Sequence, residues 1–521
     1  MIKRIQGDLQ GHNTFNTKVV SSKQVVTYPN YRNSLQYDQV SFTGKTPKNA
    51  KSIIKQGCSV ATIFKQGVKK LTQQTSTLSS QEANEIAKIL QEKEAQLKKL
   101  EEERLQLARI LDYNKLKEEG FSAKKIKRFV RQDNAAIKRA EKFTAKNLEL
   151  RERMFGYPAN MTEDSAMTKH LRNKEAELPL LNNCGDTYQT GNYAMDSKEY
   201  EKALLNKLFK HFGLKEYGKS NAWGYITTGG SESNRWGINN GLKKFPNARV
   251  YYSDAAHYSV DKSVKIGPDV NGSDIVILKN SKIQNKPNSE KIDSDVLLNE
   301  VRKNWNEKKE PAVILLTWGT TKSGAIDDVA KISKTLNVEK IPHYIHLDAA
   351  MYGGIAKNQK QAPSVPNIEK LGVDSVSVSL HKYFGNQDVK SAIITKESPM
   401  APVVDYIGQV DSTTAGSRNL NPFSSLQRVT EALERKMPDN YIKNINCFDN
   451  LLKEHKVNFT RESKSNTFVI DKPSEKICKK YQLSDFKDDN GIDKAHIIIF
   501  PYHKEKVMKE FVKELANDLL K

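Results

Sequence analysis

The chain has 521 residues, too many for one compact core, with 37% hydrophobic and 28% charged residues and a formal net charge of +22. No apolar run approaches the length of a membrane span, and the opening MIKRIQGDLQGHNTFN lacks the apolar core of a secretory signal, so a cytoplasmic globular protein is expected. Cys58, Cys184, Cys447 and Cys478 stand far apart without metal-ligand spacing; they read as reduced thiols, and no metal site is expected.

Residues 1–78 are rich in Ser, Thr, Asn, Gln and Lys with little periodicity, which predicts a basic, mostly disordered region. Residues 79–150 read as a basic helical extension. Ile86, Leu90, Leu97, Leu100, Leu107 and Leu111 follow heptad-like spacing, interrupted by Lys93 and Arg104, which leaves a coiled coil and a short helical hairpin both open. Gly120 breaks the pattern, and Ser122 can cap a second helix. Residues 1–150 hold 29 Lys and Arg against 15 Asp and Glu, a net of +14 that leaves +8 for the rest of the chain. Such an arm can hold nucleic acid or an anionic surface, but no nucleic-acid motif accompanies it, and a solvated appendage is the favoured reading.

Composition changes near Met154-Phe-Gly-Tyr-Pro158, and strands then alternate with helices. The segments AWGYITT, RVYYSD, AVILLTWG, HYIHLDAA, DSVSVSL and SAIITK read as strands. The alternation predicts a largely parallel sheet covered on both faces, with ligands beyond the carboxyl ends of its strands. Several polar groups fall at those ends. Gly230, Ser231 and Glu232 follow the first strand at a helix start, a candidate anion cradle as well as an ordinary glycine cap. His257 follows the second strand. Thr320 stands after the apolar AVILLTWG, and Asp348 ends the next strand with Ala350 close behind, small enough to lie under a planar ring. Ser379, His381 and Lys382 end the strand SVSVS. A buried carboxylate calls for a cation or donor, and a protonated ring nitrogen would serve. An anion cradle, a carboxylate, a stacking imidazole and a lysine amine are together the requirements of pyridoxal 5'-phosphate.

The segments LLNNCGDTYQTGNYAMDSKEYEKALL, WGYITTGGSESN, YYSDAAHYSV, GTTKSGAIDD, HLDAAMYGG, SVSLHKYFG and TTAGSRN resemble, in order and spacing, the group II pyridoxal-phosphate-dependent amino acid decarboxylases. They are most similar to the branch with bacterial histidine decarboxylase and plant serine decarboxylase. The resemblance runs from about residue 154 to the C-terminus. It implies the aspartate-aminotransferase-like α/β fold: a large cofactor domain at 151–420, a small α+β domain at 421–521, and a homodimer. By position it implies Lys382 as the covalent cofactor lysine, Asp348 as partner of the pyridine nitrogen and His257 as the imidazole stacked on the ring. Gly230, Ser231, Glu232, Ser379 and His381 fall around the phosphate. Tyr406, in VVDYIGQVDSTTAGSRN, falls where a mobile-loop tyrosine protonates the substrate carbon.

The sequence departs from the family in four places. Ser233 and Leu380 stand where glycine is usual; Ser233 is expected to crowd the phosphate turn, while Leu380 points away by strand alternation. Leu420-Asn421-Pro422 replaces Gly-His-Xaa-Pro, and NQDVKSAII lacks a Pro-Cys-Gly pattern. The expected activity is α-decarboxylation of an amino acid, histidine first, serine second and an aromatic residue third. The rival reading is a catalytically impaired dimer that serves as a scaffold through its basic N-terminal region.

Overall fold

The computed structural model describes residues 80–266, 275–278, 290–355, 362–418, 420–434 and 440–519. The region 1–78, with Cys58, lies outside the described residues, as does Asn419. The chain divides into two compact units, Met1–Arg128 and Phe129–Lys521. The boundary expected at 150 falls inside a helix that runs to Glu152. Helix α1 (Ser80–Glu118) is 39 residues long. Ile86, Leu90, Leu97, Leu100, Leu107 and Leu111 are all exposed on it. Gly120 turns the chain at φ +86°, and the Ser122 hydroxyl accepts the Lys125 amide at the start of α2 (Ala123–Glu152).

In the second unit, α3 (Ala166–Glu175) and α4 (Lys198–His211) lead to a seven-stranded sheet. Its strands are β1 (Trp223–Thr227), β2 (Arg249–Ser253), β3 (Ile275–Leu278), β4 (Ala312–Thr317), β5 (His343–Asp348), β6 (Ser375–Ser379) and β7 (Ser391–Thr395), in the order β1-β7-β6-β5-β4-β2-β3. β7 alone runs against its neighbours; the other pairings are parallel. Between the strands lie α5 (Gly230–Lys244), α6 (Tyr258–Ile266), α7 (Ser294–Lys308) and α8 (Val329–Val338). With helices on the sheet, a strand such as β4 (AVILLT) is buried at every position, so a continuous apolar run suits it better than alternation. β6 keeps its alternation although buried throughout: Val376 and Val378 join the main core, while Ser375 and Ser377 hydrogen-bond on the other face.

The C-terminal part adds α9 (Pro422–Glu434), α10 (Asn440–Glu454), α11 (Glu475–Tyr481) and α12 (Glu505–Leu519). A four-stranded antiparallel sheet joins β10 (Phe459–Thr460), β11 (Thr467–Asp471), β12 (Ser484–Lys487) and β13 (Asp493–Ile498) in the order β10-β11-β13-β12. Phe155 plugs into this region: its ring stacks on His503 at 4.4 Å and lies 4.7 Å from Phe511. β8 (Val403–Val404) and β9 (Gln409–Val410) form a separate hairpin with Tyr406 in its turn.

Candidate active site

The sheet registers set one working end. Thr317 pairs with Asp348, Asp348 with Ser377, and Ser379 and Thr227 each with Ser391. The carboxyl ends of β1, β4, β5 and β6 therefore meet the start of the antiparallel β7 at one edge.

At the head of α5, Gly229 and Gly230 leave room. A Cβ on Gly230 would meet only Ser379 Oγ at 3.7 Å and Ser391 Oγ at 3.8 Å, and one on Gly229 only Val389 at 4.0 Å. A helix start, two serine hydroxyls and no intruding side chain make a cradle for an anion. Glu232 turns away from it. Its carboxylate accepts the Thr228 amide at 2.8 Å, the Thr228 hydroxyl at 2.6 Å and the Tyr225 hydroxyl at 3.0 Å, so it closes the turn behind the helix start. Ser231 is exposed beside it. Ser233 does not crowd the turn as its sequence position suggested. It is fully buried, and its hydroxyl shares a 2.8 Å hydrogen bond with that of Thr227. One step further round the helix, the side chain faces the sheet instead of the cradle.

Asp348 is buried and receives donors on both oxygens. Asn234 Nδ2 donates to Oδ2 at 2.7 Å, and the Ala350 amide donates to Oδ1 at 3.0 Å. A carboxylate only accepts, which fixes the Asn234 amide with its oxygen outward. That oxygen accepts from Ser377 Oγ at 2.8 Å and from His346 Nε2 at 3.1 Å. His346 Nε2 therefore carries the proton, and Nδ1 accepts from the Ser375 hydroxyl at 2.8 Å. Burial pushes the His346 pKa down to about 4, so the ring stays neutral in this relay. The relay depends on Gly237, where a Cβ would stand 2.2 Å from His346 Nδ1. Sequence reading missed Asn234, His346 and Ser377; the available signal was their helix and strand periodicity, which aims all three at the Asp348 side of the sheet.

Lys382 is half-buried, and no hydrogen bond or ion pair engages its amine among the described residues. Burial pushes its pKa below the ordinary lysine value, and Asp348 opposes that shift. His257 lies in the same electrostatic neighbourhood: burial lowers its pKa, Asp348 raises it and Lys382 lowers it. The Ser259 amide donates to His257 Nδ1 at 3.3 Å, which leaves the proton on Nε2. The Ser259 hydroxyl is 2.8 Å from the same nitrogen. His381 is pushed down to about 4 by burial and by Lys382, with Nδ1 3.3 Å from the Lys390 carbonyl.

Two further sequence candidates have local partners. Thr320 Oγ1 accepts the Ala325 amide at 2.9 Å and bonds the Ser323 hydroxyl at 3.1 Å, so it closes its own turn. Tyr406 is 78% exposed, with its ring centre 5.8 Å from that of Tyr193 and its carbonyl accepting from Asn192. The altered segments are tied down locally. Asn421 Nδ2 donates to Asp388, Gln387 Nε2 donates to Asp164 at 2.8 Å, and Asn386 Nδ2 donates to Ser425 at 3.3 Å. Arg418, in the GSRN stretch, is buried against Glu201 at 3.0 Å and donates to the Gly185 carbonyl at 2.8 Å.

The residues present fit pyridoxal phosphate: an amine without a partner, a donor-fed carboxylate and an anion cradle at one end of the sheet. The conserved domain of the pyridoxal-dependent decarboxylases matches residues 192–406. Histidine decarboxylase of Pseudomonas entomophila (strain L48) is 30% identical over 368 residues, covering 68% of this chain and 83% of the relative. That of Vibrio anguillarum is 31% identical over 360 residues, covering 67% and 85%. Serine decarboxylase 2 of Oryza sativa subsp. japonica is 30% identical over 385 residues, covering 70% and 74%. In fold, the chain is similar to L-methionine decarboxylase from Streptomyces sp. 590, with a TM-score of 0.62 at 20% identity, covering 74% of this chain and 95% of that one.

Proposed function

Because this chain belongs to the pyridoxal-dependent decarboxylase family, we propose that its substrate is L-histidine, with L-serine second and an aromatic amino acid third. The observation that carries the enzymatic reading is the placement of Lys382, Asp348 and His257 at or just past the carboxyl ends of β6, β5 and β2, with an open anion cradle at the start of α5. The order of substrates is supported by the 30–31% identity to two bacterial histidine decarboxylases.

In this reading the α5 start, Ser379 and His381 hold the phosphate. Lys382 is the amine that would hold the cofactor covalently. Asp348 would face the pyridine nitrogen and hold its proton, and Asn234 with the Ala350 amide fixes the carboxylate in place. Pyridoxal phosphate, when bound, supplies a conjugated ring that accepts the electron pair left as carbon dioxide departs. His257, with its proton on Nε2, would cover the ring and offer that N–H to the substrate carboxylate.

The proton for the substrate carbon comes, we propose, from the partner's Tyr406 in a homodimer. An exposed hairpin turn suits a contribution across a subunit boundary. Cytoplasmic placement is part of the same reading, supported by the free thiols of Cys184, Cys447 and Cys478. Among the described residues, no helix is long and apolar enough to cross a membrane.

A carbon dioxide release screen over the common amino acids tests the substrate. Borohydride reduction and peptide mapping test the lysine. Label on Lys382 and release from histidine support the reading; label on another lysine, or release from a different amino acid alone, overturns the corresponding part.

A further inference from the structure

A pocket of about 200 Å³ lies along α5, and none of Gly230, His257, Asp348 and Lys382 lines it. Arg235, Asn239 and Lys243 form one of its walls. They stand at i, i+4 and i+8, a single stripe whose members are roughly 6 Å apart along the helix axis. Ser412, Thr413 and Thr414 form another wall, in the loop after β9. That loop is fixed against the helix and the sheet. Trp236 Nε1 donates to the Ser412 carbonyl at 2.6 Å, Thr413 Oγ1 donates to Asp411 at 2.7 Å, and the Thr414 amide donates to the Tyr225 hydroxyl at 3.3 Å.

The charge of this pocket is not balanced from within. The nearby cations are taken: Lys244 lies 3.9 Å from Asp374 and 3.6 Å from Glu397, and Lys396 lies 4.0 Å from Asp374. Arg235 and Lys243 have no counterion among the described residues, and no Asp or Glu lines the pocket. Arg235 Nε, Asn239 Oδ1 and Ser412 Oγ are closed off from solvent without a hydrogen-bond partner. Buried polar atoms are normally satisfied, so three orphans around one pocket call for an explanation. A water could meet the hydroxyl, but it leaves both cations without a counter-charge. We propose that this pocket binds a small oxyanion of the phosphate type. The Arg235 guanidinium is a planar fork suited to one edge of a phosphate, and the Lys243 ammonium adds a second charge. The Ser412 hydroxyl and the Asn239 amide, whose nitrogen and oxygen exchange by a half-turn of the side chain, supply neutral donors. The volume is several times the roughly 30 Å³ of one water and below the roughly 300–1,000 Å³ of drug-sized sites, which fits a phosphate or a short phosphomonoester better than a nucleotide.

The test uses the full-length protein loaded with pyridoxal phosphate and freed of excess cofactor, so that the cradle at the start of α5 is already filled. Inorganic phosphate and glycerol phosphate are titrated by calorimetry, at matched ionic strength, into the parent, Arg235→Gln and Lys243→Gln. The parent is expected to bind at least one of them saturably, and each glutamine variant to bind it about tenfold or more weakly, with the visible cofactor band unchanged. Lys243 is exposed, so its variant keeps the test decisive if Arg235→Gln fails to fold. Tighter binding of inorganic phosphate supports the free anion as ligand, and tighter binding of the ester supports a phosphorylated small molecule. No saturable binding to the parent, or equal binding to the parent and both variants, overturns the proposal. A changed sedimentation of either variant without phosphate binding to the parent overturns it too, and assigns the two cations to a contact with a second copy of the chain.

Discussion

The surroundings of Lys382 act on its pKa in two directions. An ammonium without a partner in a half-buried site loses hydration, so its pKa falls below the ordinary value of 10.5, and the charge on Asp348 raises it again. In the apo-protein, Lys382 should therefore undergo reductive methylation at a lower pH than surface lysines, as read by mass spectrometry across a pH series. Asp348→Asn removes the group that raises the pKa, so the midpoint should move lower still; a midpoint that rises would refute the electrostatic account. The Asn234–His346 relay offers a second check at this scale. Gly237→Ala drives a methyl group into the imidazole without altering any hydrogen-bonding group. It should weaken cofactor binding and turnover at a stability cost of about 1–3 kcal/mol. Cofactor titration by absorbance, set beside chemical denaturation, separates the two effects.

The start of α5 shows how one helical step changes the meaning of a residue. Glycine at 233 would match the family but would remove the 2.8 Å bond to Thr227 and add backbone freedom to a helix. Ser233→Gly should therefore leave cofactor affinity near the parent value and lower stability by roughly 1–2 kcal/mol, from the helix penalty and one lost hydrogen bond. A gain in cofactor affinity would mean that the serine does obstruct the phosphate. The last turns of α2 carry a comparable lesson. Glu152 pairs with Lys504 and Arg151 with Glu163, so the end of this helix belongs to the catalytic unit. Deletion of residues 1–122 should preserve cofactor binding, whereas deletion of 1–152 should impair it, as tested by absorbance and thermal melting of the two truncations.

Across the whole molecule, buried imidazoles dominate the acid response. His346, His381 and His503 are each held near 4, below their ordinary 6.5, by burial. Between those values the unfolded chain takes up protons that the folded chain refuses, so folding stability falls as pH drops from about 6.5 to about 4. Asp327, pushed up to about 6 by burial, and Glu290, also raised by burial, act in the opposite sense, but among the described residues they are two groups against five imidazoles, since burial lowers His257 and His496 as well. Urea denaturation of the apo-protein at pH 7 and pH 5 should show lower stability at pH 5; equal or higher stability would contradict the balance.

Strand positions, and the placement of Lys382, Asp348 and His257 at strand ends, were legible in the sequence, because alternating or continuous apolar runs end at glycine and polar residues whose chemistry is local. The family was legible for the same reason: its motifs are short segments at strand ends. Three features required the folded chain. Ser233 faces the sheet because helix phase, not sequence neighbourhood, aims a side chain. Asn234, His346 and Ser377 come from one helix and two strands, and only the β5–β6 register and the space above Gly237 bring them to Asp348. Leu148 looks like part of a basic appendage by composition, yet its helix continues past 150 to Glu152, and Arg151 and Glu152 there pair with Glu163 and Lys504. Periodicity and residue chemistry act over a few residues and can be read along the chain; contacts between residues more than two hundred positions apart depend on packing, which only the tertiary structure decides.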